Sequence, residues 1–137
     1  MTAAGFSALM MVAAGSAQVP VVDTSISSVA SGGFWESDGV TGRFRVVVEN
    51  SGFELVESVV HLQWLADATE DSGPRMVLSE PVPGIGPDGP LSVDTPVFEI
   101  DEGTVIVLEA TDPRTLATVT FRIIPGAPGE YTMSVGD

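Results

Sequence analysis

Apolar and polar residues alternate most regularly between residues 43 and 67, RFRVVVENSGFELVESVVHLQWLAD. In the first half the alternate apolar positions are Phe44, Val46 and Val48. In the second half they are Val60, Leu62, Trp64 and Ala66. A period of two predicts strands with one buried and one wet face. Because Asn50-Ser51-Gly52 between the halves tolerates a tight turn, the stretch predicts an antiparallel hairpin around which the fold is organised.

Three apolar residues, Phe53, Leu55 and Val56, follow this turn where a simple loop would be polar. Three placements are open for them: they extend the second strand, they plug the end of the core, or they form a small exposed patch. Exposure by itself would be weak evidence for a binding site, because scattered apolar residues are common on protein surfaces. If the patch is exposed, it is the first place where the sequence predicts contact with a partner.

Short strands separated by turn residues make up the rest of the chain. A first strand is predicted over residues 19–30, at a sheet edge because Pro20 cannot donate to a ladder, and a turn-rich connector over 31–42. Residues 81–96 contain five prolines and three glycines, which predicts a connection from one sheet to the other. Further strands are predicted over 75–82, 97–100, 104–110, 116–124 and 130–135.

Seven to nine short strands with frequent turn signals are typical of an antiparallel β-sandwich. No amphipathic helix is predicted after residue 18. The length of 137 residues predicts one β-sandwich domain over residues 18–137, preceded by an apolar segment.

That segment, residues 1–17, consists almost entirely of small or apolar residues and is too short to span a bilayer. It resembles the apolar region of a secretory signal, with small residues at 15–17 as a cleavage site, which predicts export to the periplasm, the cell surface or the medium. Because no Lys or Arg precedes the run, two alternatives stay open: a retained arm that packs on a neighbouring subunit, and an ordinary core segment.

The charge balance narrows the range of partners. Nineteen acidic residues against five basic ones give a formal net charge of −14, and every basic residue is arginine. This balance argues against nucleic acid, whose phosphates require a basic footprint. It also argues against direct binding of the β-domain to anionic membranes. The remaining partners are another protein or further copies of this chain.

The acidic surface also motivates the hypothesis of adaptation to high salt, where screening removes the repulsion between carboxylates. The midpoint of thermal unfolding is then expected to rise between low and multimolar salt, and equal midpoints would contradict the hypothesis. The alternatives are an ordinary solvated acidic surface and a genomic base composition that favours arginine over lysine.

The sequence offers little support for catalysis, so the chain is predicted not to be an enzyme and to need no cofactor. It has no cysteine, which excludes disulfides, thiol nucleophiles and metal sites built on Cys. The one histidine, His61, lies on the predicted wet face, without a G-x-S-x-G motif or a second histidine to support a triad or a metal site.

Two remote binding sites remain as hypotheses. Asp67, Glu70 and Asp71 cluster in one loop and could hold calcium, although EF-hand spacing is absent. Trp35, in the predicted connector, is the candidate for stacking on a carbohydrate or contacting a partner; the alternative is that it covers one end of the core.

The hairpin and the end of the chain together resemble a known family. VVVENSG at 46–52, followed by ESVVHLQWLAD at 57–67, is similar to two strands of CARDB-type and related immunoglobulin-like domains of bacterial and archaeal surface proteins. Asn50 and Gly52 match the turn of that family, and PGEYTMSVGD at 128–137 resembles its closing strand. The long Pro/Gly connection and the turn at 111–114 depart from it. The resemblance implies an immunoglobulin-like sandwich with an adhesive, spacer or binding role.

The sequence therefore predicts a non-catalytic, exported immunoglobulin-like module with a structural or protein-binding role at the cell envelope. The alternative is a subunit of an extracellular filament or a virion shell, in which the apolar N-terminal arm or exposed strand edges hold copies together.

Overall fold

A computed structural model describes residues 21–86 and 90–136, and the predicted leader at 1–17 lies outside these residues. The described residues contain nine strands and no helix, hence no helix that could cross a membrane. The strands are β1 (Ile26–Ser37), β2 (Val40–Ser51), β3 (Glu57–Ala66), β4 (Arg75–Pro81), β5 (Ser92–Val93), β6 (Val97–Ile100), β7 (Thr104–Thr111), β8 (Thr118–Pro125) and β9 (Tyr131–Gly136).

The strands form two antiparallel sheets. One has the order β1-β2-β3-β4, and the other has the order β9-β8-β7, with β5 and β6 both paired to the remaining edge of β7. The predicted class, an all-β antiparallel sandwich, is confirmed. The predicted connection over residues 81–96 does pass from the first sheet to the second.

The first sheet is a meander of consecutive strands, and so are β6 to β9 of the second sheet, in which β5 pairs with β7 beside β6. The connection from β4 to β5 joins the two sheets. In immunoglobulin domains the chain passes repeatedly between the sheets, so that strands A, B, E and D lie in one sheet and C, F and G in the other. The described strands thus share the sandwich architecture of those domains with a simpler strand order.

The central hairpin pairs in the register that its alternation predicts. Phe44 lies opposite Trp64, and Val46 lies opposite Leu62. All four side chains are buried, whereas residues at the odd-numbered positions of both strands face outward and are exposed or half-buried. Alternation of period two therefore predicted the inner face of the hairpin correctly.

Trp64 is the largest fully buried side chain, and it connects the sheets. Its ring meets Phe44 edge to face, with centroids 6.2 Å apart and an interplanar angle of 73°. Its indole Nε1 donates a 3.0 Å hydrogen bond to the carbonyl of Gly126 in the β8–β9 turn. The bond satisfies the one polar group of a side chain otherwise surrounded by apolar residues.

The prediction of a turn-rich connector over residues 31–42 is wrong. Strand β1 continues to Ser37, and the turn to β2 consists only of Asp38 and Gly39, with φ of 53° and 81°. Positive φ at both central residues is the hairpin geometry that Asp-Gly favours. Gly32 and Gly33 instead belong to an irregularity between Gly32 and Trp35, where the pairing with β2 shifts.

Candidate functional site

Trp35 does not present its ring to a ligand: of the two placements that the sequence leaves open, burial against the core is the one found. The side chain is 4% exposed and belongs to the core, and its Nε1 donates a 3.0 Å hydrogen bond to the carbonyl of Arg43. The shifted pairing next to it changes which residues face outward. Phe34 becomes the exposed aromatic, at 63%.

The three calcium candidates are not assembled into a site. Asp67 accepts a 3.0 Å hydrogen bond from the Thr41 hydroxyl, and Glu70 and Asp71 lie exposed in the loop that follows. Within residues 21–86 and 90–136, no group of three or more His, Asp or Glu side chains could hold a metal ion.

His61 is half-buried on the outer face of the first sheet, as its position in the alternation predicts. Its Nε2 lies 3.3 Å from Oε1 of Glu49 on the neighbouring strand. This contact is a cross-strand pair on a solvated face, where ion pairs contribute little to stability.

The apolar loop, residues 52–56, joins β2 to β3 and is exposed. Phe53 is 95% exposed, Leu55 is 47% exposed, and Val56 is half-buried. Of the three placements that the sequence leaves open, the exposed patch is the one found. Phe53 and Leu55 thus lie side by side in one turn as a small exposed apolar patch.

The base of the apolar loop is held from both sides by hydrogen bonds. Ser58 is fully buried, and its hydroxyl donates to Oδ1 of Asn50 at 2.7 Å and accepts from the Val93 N–H at 2.9 Å. The Ser58 N–H donates to the carbonyl of Leu91 at 2.7 Å. These bonds join β3 to the connection between the sheets, so the loop projects from a fixed support.

Ser58→Ala is expected to lower the free energy of unfolding by about 1–3 kcal/mol, because the buried Val93 N–H loses its acceptor and the Asn50 amide loses its donor. Urea denaturation followed by tryptophan fluorescence measures this change. Ser51→Ala, at an exposed position of the same hairpin, is the matched control and should shift stability by about 0.5 kcal/mol or less. Equal effects of the two substitutions would contradict a supporting role for Ser58.

The Gly52 backbone closes the apolar loop. Its φ of 101° is in the region that side chains rarely adopt, and a Cβ there would meet the carbonyl oxygen of Leu55. The same close approach holds Leu55 beside the turn while Phe53 points into solvent. Sequence reasoning identified these residues because apolar side chains in a turn are out of place.

Comparisons of the chain with protein families, with curated proteins and with solved structures find no match.

Proposed function

We propose that the protein is a non-catalytic, exported module with a structural or protein-binding role at the cell envelope, and that the apolar loop is its contact surface. The observation that carries the proposal is Phe53, 95% exposed at the tip of a loop whose base is bonded to both strands and to the intersheet connection. Phenylalanine, like the other aromatic residues, is enriched in protein interfaces relative to the rest of the surface.

The surroundings of the apolar loop restrict its partner. Glu54 within the loop and Glu57 at its end are acidic, and the whole chain carries a net charge of −14. A complementary surface would therefore combine an apolar pocket for Phe53 with basic residues at its rim. The charge at the rim would mainly set the rate of association and its dependence on salt.

Site-specific cross-linking in the source cells tests this contact. A benzophenone amino acid in place of Phe53 should give one discrete cross-linked protein on irradiation, and Leu55→Ser in the same chain should weaken that band. The matched control carries the benzophenone at Leu116, another exposed apolar residue in a turn, 76% accessible. No band at position 53, or the same band from both positions, would contradict the proposal.

Export is a separate part of the proposal, supported by the apolar segment at residues 1–17. The intact mass of the protein isolated from its source should correspond to a chain that begins near Gln18. A mass that includes Met1 would exclude cleavage and favour a retained arm. The resemblance to CARDB-type domains agrees with a module of this kind, although the proposal rests on the apolar loop.

A further inference from the structure

Three of the five arginines line one groove of the first sheet, Arg43 and Arg45 from its outer face and Arg75 from the start of its edge strand. Arg43 and Arg45 project from alternate positions of β2, and Arg75 begins β4. Together they line a shallow groove of about 190 Å³, which we call the arginine groove. Its other lining residues are Leu65, Pro74 and Met76.

These three arginines differ from the other two in their partners. Arg122 lies 2.8 Å from Glu99. Arg114 lies 3.4 Å from Asp112, and hydrogen bonds from Arg114, the backbone N–H first, lower the pKa of that carboxyl. Among the described residues, no carboxylate lies within 4.0 Å of the arginines in the groove. In a chain with nineteen acids, the cations of one surface are thus left available to another molecule.

Hydrogen bonds within the arginine groove hold one of its guanidinium groups in a fixed orientation. The Arg45 Nε donates a 2.7 Å hydrogen bond to Oε1 of Gln63, which orients the guanidinium and leaves its terminal nitrogens free. Gln63 in turn donates to the hydroxyl of Ser79 at 3.2 Å. Met76, 53% exposed, adds an apolar contact beside the charges. A guanidinium oriented in this way loses less conformational freedom when it binds a carboxylate.

A second groove, with the opposite charge, lies where β1 approaches the β6–β7 turn. It has a volume of about 830 Å³, and its apolar lining includes Phe34, Ile100 and Ile124, each more than half exposed. Asp101 and Glu102 also line it, and no arginine or histidine of the described residues lies within 4.0 Å of them. The third carboxylate of the lining, Glu99, is paired with Arg122. We call this the acidic groove; it shares no lining residue with the arginine groove.

We propose that the occupant of each groove is a second copy of this chain: the arginine groove of one copy binds the acidic groove of the next. The two surfaces are complementary in charge, and each combines its charges with exposed apolar side chains. Because the surfaces are different, the contact is head-to-tail, and each added copy still presents one free groove of each kind. Such contacts build open filaments unless the rotation between copies closes a ring.

This proposal uses residues outside the apolar loop and does not depend on the proposed function. It is a form of assembly that differs from those the sequence suggested, because the contact is made by the side chains of two grooves and not by residues 1–17 or by an exposed strand edge. It also accounts for arginines that remain unpaired although acidic residues outnumber basic ones nearly fourfold.

Two double variants of the whole chain, each with the charges of one groove removed, test the proposed contact between copies. Arg43→Gln/Arg75→Gln weakens only the arginine groove, and Asp101→Asn/Glu102→Gln weakens only the acidic groove. By sedimentation velocity at about 0.15 M salt, the unsubstituted chain should form species larger than a dimer as its concentration rises. Each variant alone should associate at least about tenfold more weakly. An equimolar mixture of the variants should form a 1:1 complex that does not grow further, because only one intact groove of each kind is present.

The controls separate this contact from other causes of association. Arg114→Gln removes one positive charge from a different surface and should leave association unchanged. The acidic-groove variant reduces the net negative charge, so simple repulsion between copies predicts stronger association for it, whereas the proposal predicts weaker association. All substituted positions are exposed, so thermal unfolding should confirm that each variant folds.

Several results would overturn the proposal. One is a monomer at every concentration, and another is association that persists in both variants, as contact through the apolar residues 1–17 would produce. If only one of the two variants lost association, the groove altered in that variant would bind a surface other than the second groove. Two monomeric variants whose mixture stays monomeric would equally exclude the pairing of the two grooves.

Discussion

Trp64→Ala should lower the free energy of unfolding by about 3–5 kcal/mol, the range for removing a large aromatic side chain from a packed core. Trp64 has no measurable exposure, and its ring packs edge to face on Phe44. The substitution would open a cavity between the sheets and leave the carbonyl of Gly126 without the indole donor at 3.0 Å. Since small domains are stable by only about 5–15 kcal/mol, this loss is a large part of the total.

Urea denaturation measures the effect, and two further variants make the result interpretable. Trp64→Phe keeps most of the apolar volume but loses the bond to Gly126, so a smaller loss of about 1–3 kcal/mol is expected. Phe53→Ala, in the apolar loop, should change stability by about 0.5 kcal/mol or less because the ring is already in solvent. A comparable loss from Phe53→Ala would show that Phe53 packs on the domain and is not free for a partner.

The pattern of the sequence predicted the centre of the fold well because the inner face of a strand depends on position alone. Each residue of β2 and β3 lies on the face that its place in the alternation requires, from Phe44 and Trp64 at one end to Val48 and Val60 at the other. The same rule holds in β8, where Phe121 and Ile123 lie two positions apart and both belong to the core. A regular ladder leaves no other arrangement that hides the apolar set.

The rule failed over residues 31–42, where the strand is irregular. The glycines and serines of this segment predict a turn, but only Gly39 lies in one, and Gly32 and Gly33 serve packing. A Cβ at Gly32 would lie 3.2 Å from the ring of Phe98 on the opposite sheet, and Gly33 has a φ of 74° and lies close to Thr104. Composition alone does not distinguish a glycine required by a turn from one required by close approach. The error concealed the exposure of Phe34.

The apolar loop was predictable from the sequence and the two grooves were not, because only the residues of the loop are contiguous in the sequence. The apolar loop is continuous in the sequence, so Phe53, Leu55 and Val56 could be selected by inspection. The arginine groove combines β2 with β4, and the acidic groove combines β1 with β6 and β8. Contacts between strands separated in the sequence depend on sheet order and register, which a single sequence does not specify.

The two proposals together assign different tasks to different surfaces. The apolar loop projects from the β2–β3 turn, whereas the grooves that we pair between copies lie on the outer face of the first sheet and near the β6–β7 turn. Contact between the grooves would leave Phe53 free to meet a partner. With a net charge of −14 on every copy, assembly would be weakened by long-range repulsion at low salt and by screening of the groove contacts at high salt, so it should be strongest between these limits.

Gly42→Ala should be as damaging as the loss of Trp64, for the opposite physical reason. Gly42 is buried opposite Trp35 in the ladder, and a Cβ there would meet the carbonyl oxygen of Leu65 and lie 2.7 Å from two ring carbons of Trp35. The Leu65 carbonyl belongs to the backbone of β3 and cannot move without disturbing the ladder. A loss of about 3 kcal/mol or more is expected, at the upper end of the usual cost of overpacking.

Two other glycines separate the causes of that loss. Gly39 has open space around it but a φ of 81°, so Gly39→Ala should cost about 1–2 kcal/mol from backbone conformation alone. Gly103 has open space and no such constraint, so Gly103→Ala should change stability by about 0.5 kcal/mol or less. Urea denaturation of the three variants should therefore rank Gly42 above Gly39 and Gly39 above Gly103. If Gly42→Ala were as mild as Gly103→Ala, the indole of Trp35 would not lie over the strand, and the burial of that side chain would have to be reconsidered.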